Sequence, residues 1–277
     1  MQDESRMIEL KSFSGLHLIR ANFLDYKNLS GCIREPVDIF FHLAWAGVWG
    51  ADYFDYESQL QNVMAACDSL YSAMKIKCKC FLLVGSSHQY QYIKSNGRKT
   101  LYRTSLYGIA KDCAVTMCMT MAQKYGVHIK VALFSNVFGV GDYSSRSTNT
   151  LIRYFLDGIS PKLISGNEDY DCIYVDDAVQ GLMTVAKFGY PDKLYYIGNR
   201  TLRSFQEVIT EMKDILNPQL KLSFGEISEQ SYTDYQQIDL EALYRDTGFE
   251  VSCDFSECIR NTAKWVQEQD LPRKEAT

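Results

Sequence analysis

The chain lacks any apolar run near the ~20 residues that a membrane span requires. Its opening residues, MQDESRMIELK, are polar and hold none of the apolar stretch of a signal peptide. It also lacks a basic excess. Lys and Arg number 29 against 34 Asp and Glu, a formal net charge of −5. That argues against a nucleic-acid partner, whose usual footprint is a basic stripe. Histidine is scarce, with His17, His42, His88 and His128 far apart, so no zinc site is expected. There is no CxxC, and the CKC at 78–80 has no second pair to match it. Internal repeats and low-complexity linkers are absent as well.

What is present is ordinary for a globular protein: 46% hydrophobic and 23% charged residues in 277, enough for one large domain or a domain plus a smaller lobe. Nine cysteines form an odd set without framework spacing. They read as reduced thiols of a cytoplasmic protein, most of them small buried hydrophobes.

Strand-like and helix-like segments alternate. GLHLIRANF (15–23) reads as a strand, with a loop from Asn22. VDIFFHLAW (37–45) is a continuous apolar run, as a buried parallel strand should be. Leu60, Val63, Met64, Cys67 and Leu70 then recur at helical spacing. KCFLLVGSS (79–87) is another apolar strand, and 105–126 reads as a long helix closed by Gly126. HIKVALFSNVFG reads as a third buried strand. This order predicts a parallel sheet with helices on both faces. Ligands of such sheets sit at the carboxyl ends of the strands, here HLAWAG, GSSHQY and SNVFGVG.

After about residue 145 the texture changes. A short helix in TLIRYFLDG is followed by a strand entering a helix in DCIYVDDAVQGLMTVAK, with Asp176 or Asp177 placed to cap it. KLYYIG is a strand, and SFQEVITEMKDIL opens on a Ser204–Glu207 capping box. Two short helices close the chain. The expected division is 1–145 for the sheet domain and 146–277 for a smaller α+β lobe with segments returning to the main sheet.

The stretch TSLYGIAKDCA places Tyr107 and Lys111 four residues apart, on one helix face. A phenol is a poor base at neutral pH, and a nearby ammonium favours the phenolate, which could exchange a proton with a hydroxyl or ketone. Taken alone, YxxxK reads as a surface pair. Its context is more specific: a strand ending in Ser86-Ser87 comes before it, and SNVFGVGD, YDCIYVDDAV and YYIGNRTLRSFQEVI follow in order.

With that ordered set, the sequence resembles the extended short-chain dehydrogenase/reductase family, the epimerase/dehydratase group acting on nucleotide sugars, over most of its length. The resemblance implies a Rossmann-like doubly wound parallel sheet, NAD or NADP as cofactor, and a nucleotide sugar under a C-terminal lobe. Tyr107 then resembles the acid/base, and Lys111 its partner, which also holds the nicotinamide ribose. Ser86 resembles the triad serine because the family tyrosine four residues on matches Tyr90; Ser87 is the alternative. Asn22 and Phe23 resemble the adenine contacts. Leu43, Ala44 and Trp45 resemble the backbone loop over the cofactor. Phe134 and Asn136 resemble residues beside the nicotinamide and the sugar phosphate, though Phe134 reads equally as core and Asn136 as a turn residue.

The sequence departs from the family at four places. The opening strand, GxxGxxG turn, helix and second strand have no match, so the resemblance implies an N-terminally truncated domain that lacks some 35–50 residues of such a βαβ unit. Dehydratases carry acidic residues where Ser87 and His88 stand. GSSHQY instead resembles the sugar epimerase-reductases, in which His88 would occupy the place of an acid/base beside a ketone. Their second acid/base histidine is unmatched, with Thr148 or Asn149 near its place. The basic residue before the D-[FY]-I-x-V-x-D motif is Tyr170, with Arg153 or Arg146 as possible substitutes.

The expectation is a cytoplasmic nucleotide-sugar epimerase or ketoreductase, a homodimer through the helices 56–75 and 105–125. The alternatives are a partner subunit that has lost catalysis and a reductase of non-sugar carbonyl compounds.

Overall fold

A computed structural model of the chain describes residues 13–48, 50–95, 98–99, 105–143, 147–228 and 231–269. The first half runs β1 (Ile39–His42), α1 (Tyr56–Lys75), β2 (Cys80–Ser86), β3 (Gln91–Tyr92), β4 (Lys94–Ser95), β5 (Arg98–Lys99), α2 (Leu106–Tyr125), β6 (Ile129–Phe134) and β7 (Asn136–Phe138). The second half runs α3 (Ser147–Leu156), β8 (Asp169–Tyr170), β9 (Cys172–Tyr174), α4 (Val175–Phe188), β10 (Lys193–Ile197), β11 (Arg203–Ser204), α5 (Phe205–Leu216), β12 (Tyr232–Thr233), α6 (Ala242–Thr247) and α7 (Phe255–Glu268).

Four strands form a parallel sheet in the order β1-β2-β6-β10. Side chains alternate across it. Phe81, Leu83, Ile129 and Val131 point to one face, where Val63, Leu70, Ala114 and Cys118 of α1 and α2 cover them. Leu82, Ala132 and Ile197 point to the other, under Ala178, Leu182 and Val185 of α4 and Leu243 of α6. A parallel sheet covered on both sides explains why these strands are apolar throughout rather than alternating. A separate core in the second half gathers Ile152, Phe155, Ile209, Met212 and Ile259 from α3, α5 and α7.

The helix ends follow local chemistry. Asp55 caps α1 by accepting from Ser58 N, 2.9 Å away. Gly126 ends α2 in the left-handed conformation, at φ 66°. Ser204 and Glu207 form the expected capping box on α5.

Three expectations are corrected. GLHLIRANF is not a strand: residues 16–22 are irregular, and Leu18 and Ile19 are exposed. A strand needs a ladder partner, and β1, the nearest strand, pairs among the described residues only with β2. HIKVALFSNVFG is two strands, because the chain leaves the main sheet at Ser135 and β7 pairs with β9 instead. Asp176 and Asp177 do not cap α4, whose N-cap is Tyr174. Asp177 accepts instead from Ser252 N, Ser252 Oγ and Cys253 N and ties down the loop before α7.

All nine cysteines are free thiols. Among the described residues no helix is long and apolar enough to cross a membrane.

Candidate active site

The first turn of α2 carries the tyrosine. Ser105 caps it, its Oγ accepting from Gly108 N at 3.0 Å. Tyr107 and, one turn on, Lys111 face inward, and both are buried, so the surface-pair reading of YxxxK is overturned. Lys111 is 4% exposed. Its Nζ donates to the Val84 carbonyl at 2.9 Å and sits 3.9 Å from the ring centroid of Trp45 and 5.9 Å from that of Tyr107. Burial lowers its pKa to about 7. The indole face and the carbonyl act the other way and favour the ammonium.

At the carboxyl end of β2, Ser86 opens the 3-10 turn Ser87–Tyr90. Its Oγ accepts from His88 N at 3.3 Å, and its own N–H donates to Gln89 Oε1 at 2.9 Å. The turn lies hard against α2. A Cβ on Gly108 would come within 2.5 Å of the His88 carbonyl oxygen, so glycine beside the tyrosine is what lets the turn approach. The His88 ring then meets Tyr107 edge to face, centroids 5.6 Å apart. Four of the expected residues, Ser86, His88, Tyr107 and Lys111, thus converge on one place.

The loop after β1 closes over them. Leu43 is exposed and Ala44 half-buried, while Trp45 lies over Lys111 and stands edge-on to Tyr107 at 6.1 Å. Asn22 caps the 3-10 segment Phe23–Gly31. Phe23 packs on Tyr26, and Tyr26 on His42 at the end of β1. No contact between Asn22 or Phe23 and the Tyr107 cluster is among those described. His42 is buried, its Nε2 finds no hydrogen-bond partner, and burial followed by the Lys111 charge lowers its pKa to about 4.

Phe134 lies opposite Ser86 in the sheet, half-buried, with its side chain against the α4 face. Asn136 donates through Nδ2 to the Asp171 carbonyl at 2.9 Å. Ser87 is buried in the turn. Asn149 is buried, with Nδ2 on the Asp142 carbonyl and Oδ1 unpartnered. Tyr170 stacks edge-on with Phe205. Arg153 lies on α3, and Arg146 falls outside the described residues. Arg203 pairs across from Tyr170 in the β8–β11 ladder and ion-pairs with Glu211.

Two residues of the site, and one buried carboxylate beside Asn136, were not expected. Tyr53, in the 3-10 turn Ala51–Phe54, lies on Tyr107 and reaches His88. Buried Gln59 accepts from Trp45 Nε1 at 3.0 Å and donates to the carbonyls of Gly47 and Asp52, both at 2.9 Å. Buried Asp171 accepts from Tyr196, from Asn199 N and Nδ2, and from Ser135 Oγ. Burial raises its pKa while those donors hold it down. Tyr53 and Gln59 have no local sequence signature, because each acts across elements distant in the chain; Asp171 opens the D-[FY]-I-x-V-x-D stretch, but only the fold sets its partners.

The residues fit one end of a nicotinamide cofactor. Lys111 keeps N–H donors beyond the one given to Val84, which suits a ribose diol, and Tyr107 stands beside it. A GxxGxxG sequence for the pyrophosphate end occurs nowhere in the chain.

The fold has counterparts among known proteins. The solved structure of RMD from Pseudomonas aeruginosa, complexed with NADPH, superimposes with a TM-score of 0.74 at 17% identity, covering 90% of this chain and 87% of that one. UDP-glucuronic acid 4-epimerase from Bacillus cereus, in complex with NAD, also gives 0.74, at 16% identity over 96% and 85% of the two chains. Among curated proteins, the uncharacterized UDP-glucose epimerase YtcB of Bacillus subtilis (strain 168) is 26% identical over 205 residues, 70% of this chain. The dTDP-glucose 4,6-dehydratase of Streptomyces antibioticus is 20% identical over 211 residues, 75% of this chain. The chain spans 63% of the length of each of these two curated relatives. The family profile described as NAD dependent epimerase/dehydratase family matches residues 2–198. A doubly wound sheet with the Tyr107–Lys111 couple at its carboxyl edge, and a profile match over most of its length, place this chain in the NAD dependent epimerase/dehydratase family.

Proposed function

We propose that the chain is an NAD- or NADP-dependent epimerase or ketoreductase of a nucleotide sugar, in which Tyr107 moves the proton at the reacting sugar carbon. The convergence of Tyr107, Lys111, Ser86 and His88 at the end of β2 carries this reading. The nicotinamide, when bound, supplies or accepts the hydride. Lys111 holds its ribose and favours the Tyr107 phenolate, and Ser86 binds the same substrate oxygen as Tyr107. Asn22, Phe23, Leu43, Ala44, Trp45 and Phe134 line the cofactor side. Ser87, His88 and Asn136 face the sugar, under the lobe 146–277. His88 standing where dehydratases carry an acid supports epimerisation or reduction over dehydration. The names of relatives such as UDP-glucuronic acid 4-epimerase support a nucleoside diphosphate sugar as substrate.

The free thiols support a cytoplasmic location. The apolar outer faces of α1 and α2 support a homodimer.

The test is turnover of UDP-glucose and UDP-glucuronic acid with either nicotinamide cofactor, alongside Tyr107→Phe. The variant should lose about 10²–10⁴-fold in kcat and still bind cofactor in a thermal-shift assay. Full turnover by Tyr107→Phe would refute the assigned base.

A further inference from the structure

Tyr53 enters the site from the turn between β1 and α1. Its hydroxyl oxygen is 2.9 Å from Nδ1 of His88. Its ring lies nearly parallel to Tyr107, centroids 5.1 Å apart at 23°. The His88 ring stands perpendicular to both, at 80° and 86°. The turn is anchored at several points: Asp55 caps α1 immediately after it, and Gln59 holds the Gly47 carbonyl before it and the Asp52 carbonyl within it. The same Gln59 fixes Trp45 over Lys111. One buried side chain therefore sets both aromatic covers of the couple.

The polarity of the Tyr53–His88 hydrogen bond follows from the chemistry of its two groups. A phenol O–H is a stronger donor than its oxygen is an acceptor, and the lone pair of a neutral imidazole is a strong acceptor. The Tyr53 proton then goes to His88 Nδ1. A neutral imidazole has one donor and one acceptor, so an accepting Nδ1 puts the ring proton on Nε2.

We propose that Tyr53 is a positioning residue that fixes His88 in the Nε2–H tautomer, with Nδ1 accepting from the Tyr53 hydroxyl, and holds the imidazole edge-on to Tyr107. Its place in the reaction rests on the reading of His88 as an acid/base. The tautomer itself does not. Among the described contacts, the titratable groups that face His88 are the Tyr53 phenol from the turn and the Tyr107 phenol from α2, with the Lys111 ammonium one turn further along α2.

The test is long-range ¹H–¹⁵N correlation on protein with ¹⁵N-labelled histidine rings. The chain has four histidines, and His88→Gln assigns the signal by its loss. In the wild type above pH 7, His88 should show an unprotonated Nδ1 and a protonated Nε2. Tyr53→Phe keeps the stacked ring and removes only the hydroxyl. Its two ring nitrogens should shift toward each other as the tautomers exchange. In an active preparation, kcat should fall with KM held, and the pH profile of kcat should move. A protonated Nδ1 in the wild type overturns the proposal, as does an unchanged fixed tautomer in Tyr53→Phe. Should Tyr53→Phe not fold, the wild-type spectrum decides. The spectrum needs neither cofactor nor turnover, so inactivity on nucleotide sugars counts against the proposed reaction and not against the tautomer.

Discussion

His42 shows how a single residue at the end of β1 makes the fold sensitive to acid. Its ring packs between Tyr26 and Phe81, and its Nε2 has no partner. Protonation there would place a cation in an apolar setting beside Lys111, and the pKa is lowered to about 4. An unfolded histidine titrates near 6.5. Between those values the unfolded chain binds the extra proton, so stability is full above about pH 6.5 and declines as pH falls toward about 4. The shift corresponds to ~3 kcal/mol across that window. Urea unfolding of the wild type from pH 7.5 to 4 should show the decline, and His42→Phe should flatten most of it; an equally steep decline in that variant would assign the effect elsewhere.

At this scale the sequence was readable where function is local. Tyr107 and Lys111 share a helix turn, and Ser86 and His88 sit at the end of one strand, so spacing alone groups each pair. Tyr53 lies 35 residues from His88, and Asp171 meets Ser135 and Asn199 only through the fold. No spacing announces such meetings.

Between elements, Gly108 decides how closely α2 meets the turn after β2. In an exposed helix, Gly→Ala gains up to about 1 kcal/mol. Here the sign reverses, because the new Cβ would lie 2.5 Å from the His88 carbonyl, which is backbone and does not rotate away. Gly108→Ala should destabilise by ~1–3 kcal/mol and displace His88 from Tyr107. Denaturant melts check the first, and loss of the His88 ring-current shift from Tyr107 checks the second. Helices were legible at this level because caps and apolar stripes are written locally. The segment 15–23 was misread for the opposite reason, since alternating apolar residues give a strand only where a neighbouring strand offers its edge. Asp177 was misread similarly: its position suits a cap, but Ser252 and Cys253, far along the chain, claim the carboxylate.

For the whole molecule, the telling surface is the outer face of the α1–α2 pair. Leu60, Met64, Ile109 and Met117 are each between 44% and 61% exposed, and their i,i+4 and i,i+8 spacing makes two parallel apolar stripes. Exposed stripes of this kind on adjacent helices support the homodimer proposed above. Sedimentation at micromolar concentration should give a dimer, and Met64→Glu with Met117→Glu should give a folded monomer. A wild-type monomer would remove the interface. The layered architecture was foreseeable from the order of elements. The corner at Ser135, where the chain quits the sheet to pair β7 with β9, was not, because an apolar run looks the same whether or not its ladder continues.

That corner also has a consequence for the nascent chain. β6 is complete at Phe134, yet its second neighbour, β10, begins only at Lys193. At ~5–20 residues per second, the intervening ~60 residues take about 3–12 s to synthesise. Through that interval an apolar strand leaves the ribosome with one edge open, while α4, which will cover its face, is still being made. This is the interval in which a chaperone has something to hold.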